Sequence, residues 1–266
     1  MSQYILGDSD VERRRLEAQA ALWDPVSHAL FDRLGVAPGH RILELGPGAG
    51  SLNLELRRRI HAPVDVVEQS PLFCERLAAR WRDDGLGSGR VWDSTILDAD
   101  LPDDHYDIVF ARWVFLFLRD PAAHLRTLTR ALKPGGRIAI QDYYRNTFCL
   151  VPTPPEWPAM VEADLAFFEA AGSDPNIGAH VPLMFDACGL DLVEIEPHTK
   201  TGHPGSPMWD WLTAYFVGML DTYAALGLLT PDAADRIRHA WQAAARHPQS
   251  LLIGPTVLDV VGRRRA

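Results

Sequence analysis

From Arg41 to Gly50 the chain reads Arg-Ile-Leu-Glu-Leu-Gly-Pro-Gly-Ala-Gly, and one helix length later comes Val64-Asp-Val-Val-Glu68. No other feature constrains the fold as strongly. A short apolar strand runs into glycines, a helix follows from about Ser51, and a second apolar strand ends in a carboxylate. That is the layout of a nucleoside-binding βαβ unit. Glycines without a Cβ let the backbone approach a ligand closely. A carboxylate at Glu68 can accept hydrogen bonds from both hydroxyls of a ribose. The spacing of Gly46, Gly48 and Gly50 is G-x-G-x-G, not the G-x-G-x-x-G of dinucleotide sites. No Gly-Lys-Ser/Thr follows, which excludes a P-loop.

The middle of the chain alternates strand and helix patterns, as expected for a parallel sheet covered on both faces. Strands are predicted at 41–45, 64–68, 90–93, 106–112 and 136–142, with helices near 51–60, 71–83 and 120–132. Lys133-Pro-Gly-Gly136 reads as a turn that ends the third helix. A helix at 179–188 and a strand at 190–197 are expected next. The final strand, 250–262, is interrupted at Gly254-Pro255, which predicts an edge position or a bulge. The fold class is α/β, a Rossmann-like doubly wound seven-stranded sheet in a single domain over 1–266. A helical arm (1–36) precedes a ligand-binding core (37–145), and Ser9-Asp-Val-Glu12 has the form of a capping box. Segments 146–178 and 201–247 are aromatic and helical. They are expected as cap insertions near the carboxyl ends of the strands, where open α/β sheets bind ligands.

Of the 266 residues, 47% are apolar, enough for a full core. A net charge of −9 argues against an extended nucleic-acid surface. Three scattered cysteines, Cys74, Cys149 and Cys188, suggest reduced thiols and no metal site. Together with a polar Met1–Asp10, they point to a cytoplasmic protein. No apolar run approaches the roughly 20 residues of a membrane span. A homodimer through the aromatic helix near 208–225 is compatible with the pattern, because a cap helix and a dimer helix look alike.

Several motifs together resemble those of class I S-adenosylmethionine-dependent methyltransferases. Glu44 to Gly50 matches E/D-x-G-x-G-x-G, and Glu68 matches the acidic residue ending strand two. Tyr106-Asp-Ile-Val-Phe-Ala111 is similar to the strand-four motif, and Leu132-Lys-Pro-Gly-Gly136 to the turn before strand five. The opening Tyr4-Ile-Leu-Gly7, Glu12, Arg15-Leu16 and Gln19 resembles a bacterial group of small-molecule methyltransferases, as do Arg112-Trp-Val and Pro207-Met-Trp-Asp-Trp211. The resemblance implies S-adenosyl-L-methionine as cofactor, held by Glu44, Gly46, Gly48, Gly50, Glu68, Gln69 and Ala111. It also implies that Arg15, Gln19 and Tyr4 face the site. From spacing alone, Arg15 in Arg13-Arg14-Arg15 reads as a solvated residue. The family commonly has an acidic residue after strand three. Alignment back from Leu101-Pro102 places Thr95 there, followed by Ile96, with Asp93 two residues early.

Methyl transfer from a sulfonium is an in-line displacement, so positioning dominates, with reacting atoms about 3 Å apart. Aromatic rings suit the cation, and Trp113, Tyr143, Trp209, Trp211 and His180 are the expected acceptor contacts. Each aromatic also reads as ordinary core. Asp142, Tyr143 and Tyr4 are candidates for positioning or proton removal, while Asp142 equally reads as a cap of the turn after strand five. The expected activity is O-, N- or C-methylation of a small aromatic or apolar acceptor of natural-product type in secondary metabolism, for example at an indole ring carbon. A cyclase that binds the cofactor on the same fold is the alternative.

Overall fold

The computed structural model describes residues 10–266, with side chains from Ala18 onward. In chain order, α1 (Asp10–Arg33) leads to β1 (Ile42–Leu45), α2 (Ser51–Ile60), β2 (Asp65–Val67), α3 (Pro71–Asp84), β3 (Val91–Trp92) and β4 (Tyr106–Arg112). Next come α4 (Pro121–Ala131), β5 (Leu132–Tyr144), β6 (Cys149–Val151), α5 (Trp157–Ala170), α6 (Ile177–His180), β7 (Leu190–His198) and β8 (Thr201–Gly202). The remainder holds α7 (Pro207–Ala225), α8 (Pro231–Arg246), β9 (Leu251–Ile253) and β10 (Thr256–Arg264).

The chain divides into two compact units. One comprises Asp24–Tyr144, Asn176–His198 and Val257–Ala266; the other comprises the residues up to Trp23, Arg145–Pro175 and Thr199–Thr256. The first is built on a seven-stranded sheet of order β3-β2-β1-β4-β5-β10-β7. Strands β1 to β5 pair in parallel, and β10 runs antiparallel to β7. The central strands are buried on both faces: Leu43, Val109 and Ala111 in β1 and β4, Ile138 to Ile140 in β5. This is the expected composition of a helix-covered parallel sheet. Leu30 and Phe31 of α1, with Leu34 just after it, pack with Ile42, Ile108, Phe110 and Ala139 on one face of the sheet, and Leu52 and Leu56 of α2 join them.

Helix starts follow a local rule. Ser70, Asp120, Ser206 and Thr230 each precede a proline, and each side chain accepts the backbone N–H three residues on. The side-chain oxygen satisfies an amide that has no partner within the helix, and the proline supplies the first helical φ without wasting a donor.

Three expectations need correction. The segment 179–188 is not one helix: α6 gives way to 3₁₀ turns at Val181–Met184 and Asp186–Cys188. Pro182 lacks a backbone donor and obstructs a continuing α-helix. Lys133-Pro-Gly-Gly136 is taken into β5 as a bulge, with Leu132 paired to Tyr106 and Arg137 already paired to Ile108. The segment 250–262 is split between two sheets. Strand β9 pairs with β6 and β8 in a small sheet of the second unit, whereas β10 is interior to the large sheet, with its register shift at Val261/Gly262.

The second unit is helical and aromatic. Phe148 stacks on Phe216 at 4.2 Å, and Trp157 on Trp241 at 6.0 Å. At its centre Arg145 binds Asp164 through two guanidinium nitrogens, and the Tyr215 and Tyr223 hydroxyls donate to the same carboxylate at 3.0 and 2.8 Å. Every member of that buried cluster has a partner, which offsets the desolvation of the charges.

Candidate active site

In the sheet order the chain progresses one way from β1 through β2 to β3 and the other way through β4 to β5. The reversal lies between β1 and β4, and the crevice at the carboxyl ends of such strands is where open α/β sheets bind ligands. Gly46 to Gly50 leaves β1 at this point. All three glycines have left-handed φ, 55°, 52° and 78°. A Cβ at Gly46 would lie 2.8 Å from Val114 Cγ2, and one at Gly50 2.9 Å from Leu77 Cδ1. Gly48 differs, because nothing lies within 4 Å of a Cβ there. Packing therefore accounts for the first and third glycines. The second leaves open space over a bare backbone turn beside the N-terminus of α2, a geometry suited to a closely approaching ligand.

The end of β2 is tied to that loop. The Gly46 amide donates to the Val67 carbonyl at 2.9 Å. Glu68 is buried, and its carboxylate accepts the Ser70 amide at 2.9 Å and backbone bonds from Gly48 and Gln69. Burial raises the Glu68 pKa, and the backbone bonds offset that rise only in part. Gln69 itself is exposed. Beneath the loop, Glu44 accepts Asn53 Nδ2 at 2.8 Å, and Asn53 in turn accepts Trp81 Nε1 at 2.7 Å. Burial pushes the Glu44 carboxyl up to about 7, against the opposing effects of Asn53 and the Arg112 charge. Glu44 is therefore held under the loop by a side-chain relay into α2 and α3.

After β3 the Thr95 hydroxyl donates to Asp98 Oδ2 at 2.6 Å and accepts the Asp98 amide. Thr95 is thus paired within its own turn to the exposed carboxylate of Asp98. Ile96 is buried, and Asp93 and Asp98 are exposed.

At the end of β4, buried Ala111 pairs with Leu45 and Ile140. Trp113 follows with φ +55°, a left-handed conformation that a bulky residue rarely adopts. Its amide donates to the Gln141 carbonyl at 2.9 Å, and its ring stacks on Tyr143 at 5.5 Å and 17°. The Arg112 guanidinium lies 4.5 Å from the Trp113 centroid. Arg112 also donates to Asp24 and Ser27, Ser27 donates to Gln141, and Gln141 donates to Asp259 at 2.6 Å. Asp142 is fully buried, and its two carboxylate oxygens accept the amides of Leu116 at 3.1 Å and Tyr143 at 2.9 Å.

A methyltransferase-domain family matches residues 43–140, the stretch that carries this glycine loop, Glu68 and the end of β4. Residues 43–140 form a methyltransferase domain, similar to those of the class I S-adenosylmethionine-dependent enzymes. Methyltransferase GfsG of Streptomyces halstedii is 28% identical over 72% of this chain and 67% of its own length. The ubiquinone/menaquinone biosynthesis C-methyltransferase UbiE of Vibrio vulnificus is 30% identical over 44% of this chain; the match spans 46%, about half, of that relative. Among solved structures, the [4+2]-cyclase SpnF superposes with a TM-score of 0.58 at 17% identity, covering 91% of this chain and 81% of its own. That similarity concerns the fold.

The cofactor of this methyltransferase is S-adenosylmethionine, and the described residues fit it. Gly48 leaves space where a side chain would stand, and Glu68 brings a carboxylate against the same loop. Among the acceptor candidates, Trp113 and Tyr143 come together in the sheet unit. His180 belongs to that unit too, exposed at the end of α6. Trp209 and Trp211 belong to the helical unit, buried in α7, where Trp209 packs on Trp241 at 5.7 Å and Trp211 on Trp23 at 6.4 Å. Gln19 is buried in α1 of the same unit. Tyr4 lies outside the described residues, as does the side chain of Arg15. Among the described residues no set of three metal-ligating side chains gathers, and no helix is long and apolar enough to cross a membrane.

Proposed function

We propose that this methyltransferase acts on a small, apolar or aromatic acceptor of natural-product type, with Trp113 and Tyr143 as the aromatic surface beside the reacting atoms. The observation behind this reading is the Trp113–Tyr143 stack at the carboxyl ends of β4 and β5, held by a backbone bond between the same strands. When bound, the cofactor supplies a methyl group on a positively charged sulfur. Aromatic faces attract such a charge. The left-handed backbone at Trp113 stores strain of roughly 1–3 kcal/mol, which a ligand-binding role would explain.

Gly48, Glu68 and Asp98 are proposed to hold the nucleoside, and Glu44 to hold the loop from below. Asp142 is a positioning residue: both of its oxygens engage backbone amides, so it fixes the Phe115 turn and Tyr143. Tyr143 is proposed to orient the acceptor. UbiE is named a C-methyltransferase, and an electron-rich ring carbon needs little base catalysis, which suits a site with aromatic walls. The test is transfer of labelled methyl from S-adenosylmethionine to indoles, phenols and quinones. Trp113→Ala is expected to reduce kcat at least tenfold while S-adenosylhomocysteine still binds. Cofactor binding with no methylation of any acceptor, accompanied by cyclisation of a polyene, would favour the cyclase reading instead.

A further inference from the structure

Helix α5 carries a feature that methyl transfer does not use. A groove of about 540 Å³ runs along its outward face, lined by Phe148, Trp157, Val161, Glu162, Leu165 and Glu169. The groove is open to solvent along its length, so a ligand would lie on it with one side in water. Leu165 sits between the two glutamates, and the floor is aromatic. Phe148 and Trp157 pack ring to ring at 4.7 Å and are backed by Phe216 and Trp241. Glu162 and Glu169 are seven residues apart on one helix, about 10 Å at 1.5 Å per residue.

The charge of this groove has one sign. Helix α5 contains no lysine or arginine, and Glu162 and Glu169 are exposed and form no ion pair among the described residues. Three other exposed carboxylates of the same unit are neutralised, Asp232 by Arg236, and Asp221 and Asp235 by Arg238, whereas Asp210 is not. Two unpaired carboxylates flanking half-buried apolar side chains over aromatic rings leave a cation with an apolar body as the complementary ligand. An anion would meet like charge from both glutamates. A cation would gain the field of both glutamates.

We propose that the α5 groove binds a small organic cation consisting of an aromatic body and an ammonium group, with the body over Phe148, Trp157 and Leu165 and the charge at Glu162 or Glu169. All of its residues belong to the helical unit, so the inference does not depend on which acceptor is methylated.

The test uses the full chain saturated with S-adenosylhomocysteine, which occupies the cofactor site. Tryptamine is titrated by calorimetry, with indole-3-propionate as the same body with opposite charge and putrescine as charge without an aromatic body. Tryptamine should bind at least tenfold more tightly than either control. Glu162→Gln with Glu169→Gln should weaken it at least tenfold, and Leu165→Arg should abolish it. These substitutions lie on an outward helix face, so the melting temperature should not move. Equal binding of indole-3-propionate, or tryptamine binding untouched by the double substitution, would overturn the proposal.

Discussion

Arg112 donates through Nη2 to Asp24 Oδ1 at 2.8 Å, joining α1 to the carboxyl end of β4. The same guanidinium covers the Trp113 ring and donates to Ser27 at 3.0 Å. The ion pair is largely withdrawn from water, and its charge also faces Glu44. Arg112→Ala would leave two carboxylates short of a counter-charge. The expected cost is about 2–3 kcal/mol, below the figure for a fully buried pair because both side chains keep some exposure. Urea unfolding measures it. Arg112→Lys should recover only part, since an ammonium cannot reach Asp24 and Ser27 in one plane.

Glu44 should make stability fall as pH rises. Its carboxyl sits at about 7 in the fold against 4.5 in a free chain. Between these values the unfolded chain releases a proton that the folded protein retains, so rising pH favours unfolding. Below 4.5 both states are protonated and the penalty vanishes; above about 7 it is fully present. Glu44→Gln keeps an acceptor for Asn53 and removes the charge. The variant should melt higher than the native chain at pH 8, by the equivalent of roughly 1–3 kcal/mol. The gap should close towards pH 4.5, and thermal melts across that range read it directly.

The glycine loop separates packing from ligand approach. Gly50→Ala drives a Cβ to 2.9 Å from Leu77 Cδ1 and should lower stability by about 2 kcal/mol, combining strain with the clash. Gly48→Ala meets no atom within 4 Å, so only its φ of +52° costs, about 1 kcal/mol. The new methyl stands in the open space over the loop. S-adenosylhomocysteine affinity should therefore fall at least a hundredfold in Gly48→Ala, as calorimetry would show, although the protein remains folded.

Asp142 should behave as a structural acceptor. Asp142→Ala strands the Leu116 and Tyr143 amides in a buried setting, at about 1–3 kcal/mol. Asp142→Asn keeps one side-chain oxygen and should retain most of the fold. If Asp142 only positions Tyr143, the pH–rate profile of Asp142→Asn keeps the limbs of the native enzyme. A general base at this position would remove the acidic limb.

The helical unit depends on one carboxylate. Asp164→Ala leaves Arg145 buried without its partner and frees the Tyr215 and Tyr223 hydroxyls. Its expected cost is about 3–5 kcal/mol. Tyr223→Phe removes one bond to that carboxylate and should cost about 1.5 kcal/mol. Both are measured by urea unfolding.

The sequence by itself determined the parts whose signal is local. Strand β4 lies at 106–112 and α2 at 51–60, as the apolar run of the first and Gly50 before the second require. The order strand, glycine loop, helix, strand and carboxylate placed Gly46, Gly48, Gly50 and Glu68 together, because neighbouring parallel strands fix that geometry within a few tens of residues. What the tertiary structure decided depends on contacts distant in sequence. Gly254-Pro255 looked like a flaw in one strand; pairing with β6 and β8 on one side, and with β5 and β7 on the other, made it a crossing between two sheets. Asp142 read as a base or as a cap, and the bond to its carboxylate from the Leu116 amide, 26 positions away, is one that no local pattern announces. The chain Asp24–Arg112–Ser27–Gln141–Asp259 joins residues up to 118 positions apart. No periodicity encodes such a network, since each member is polar, buried and intelligible only through its partner.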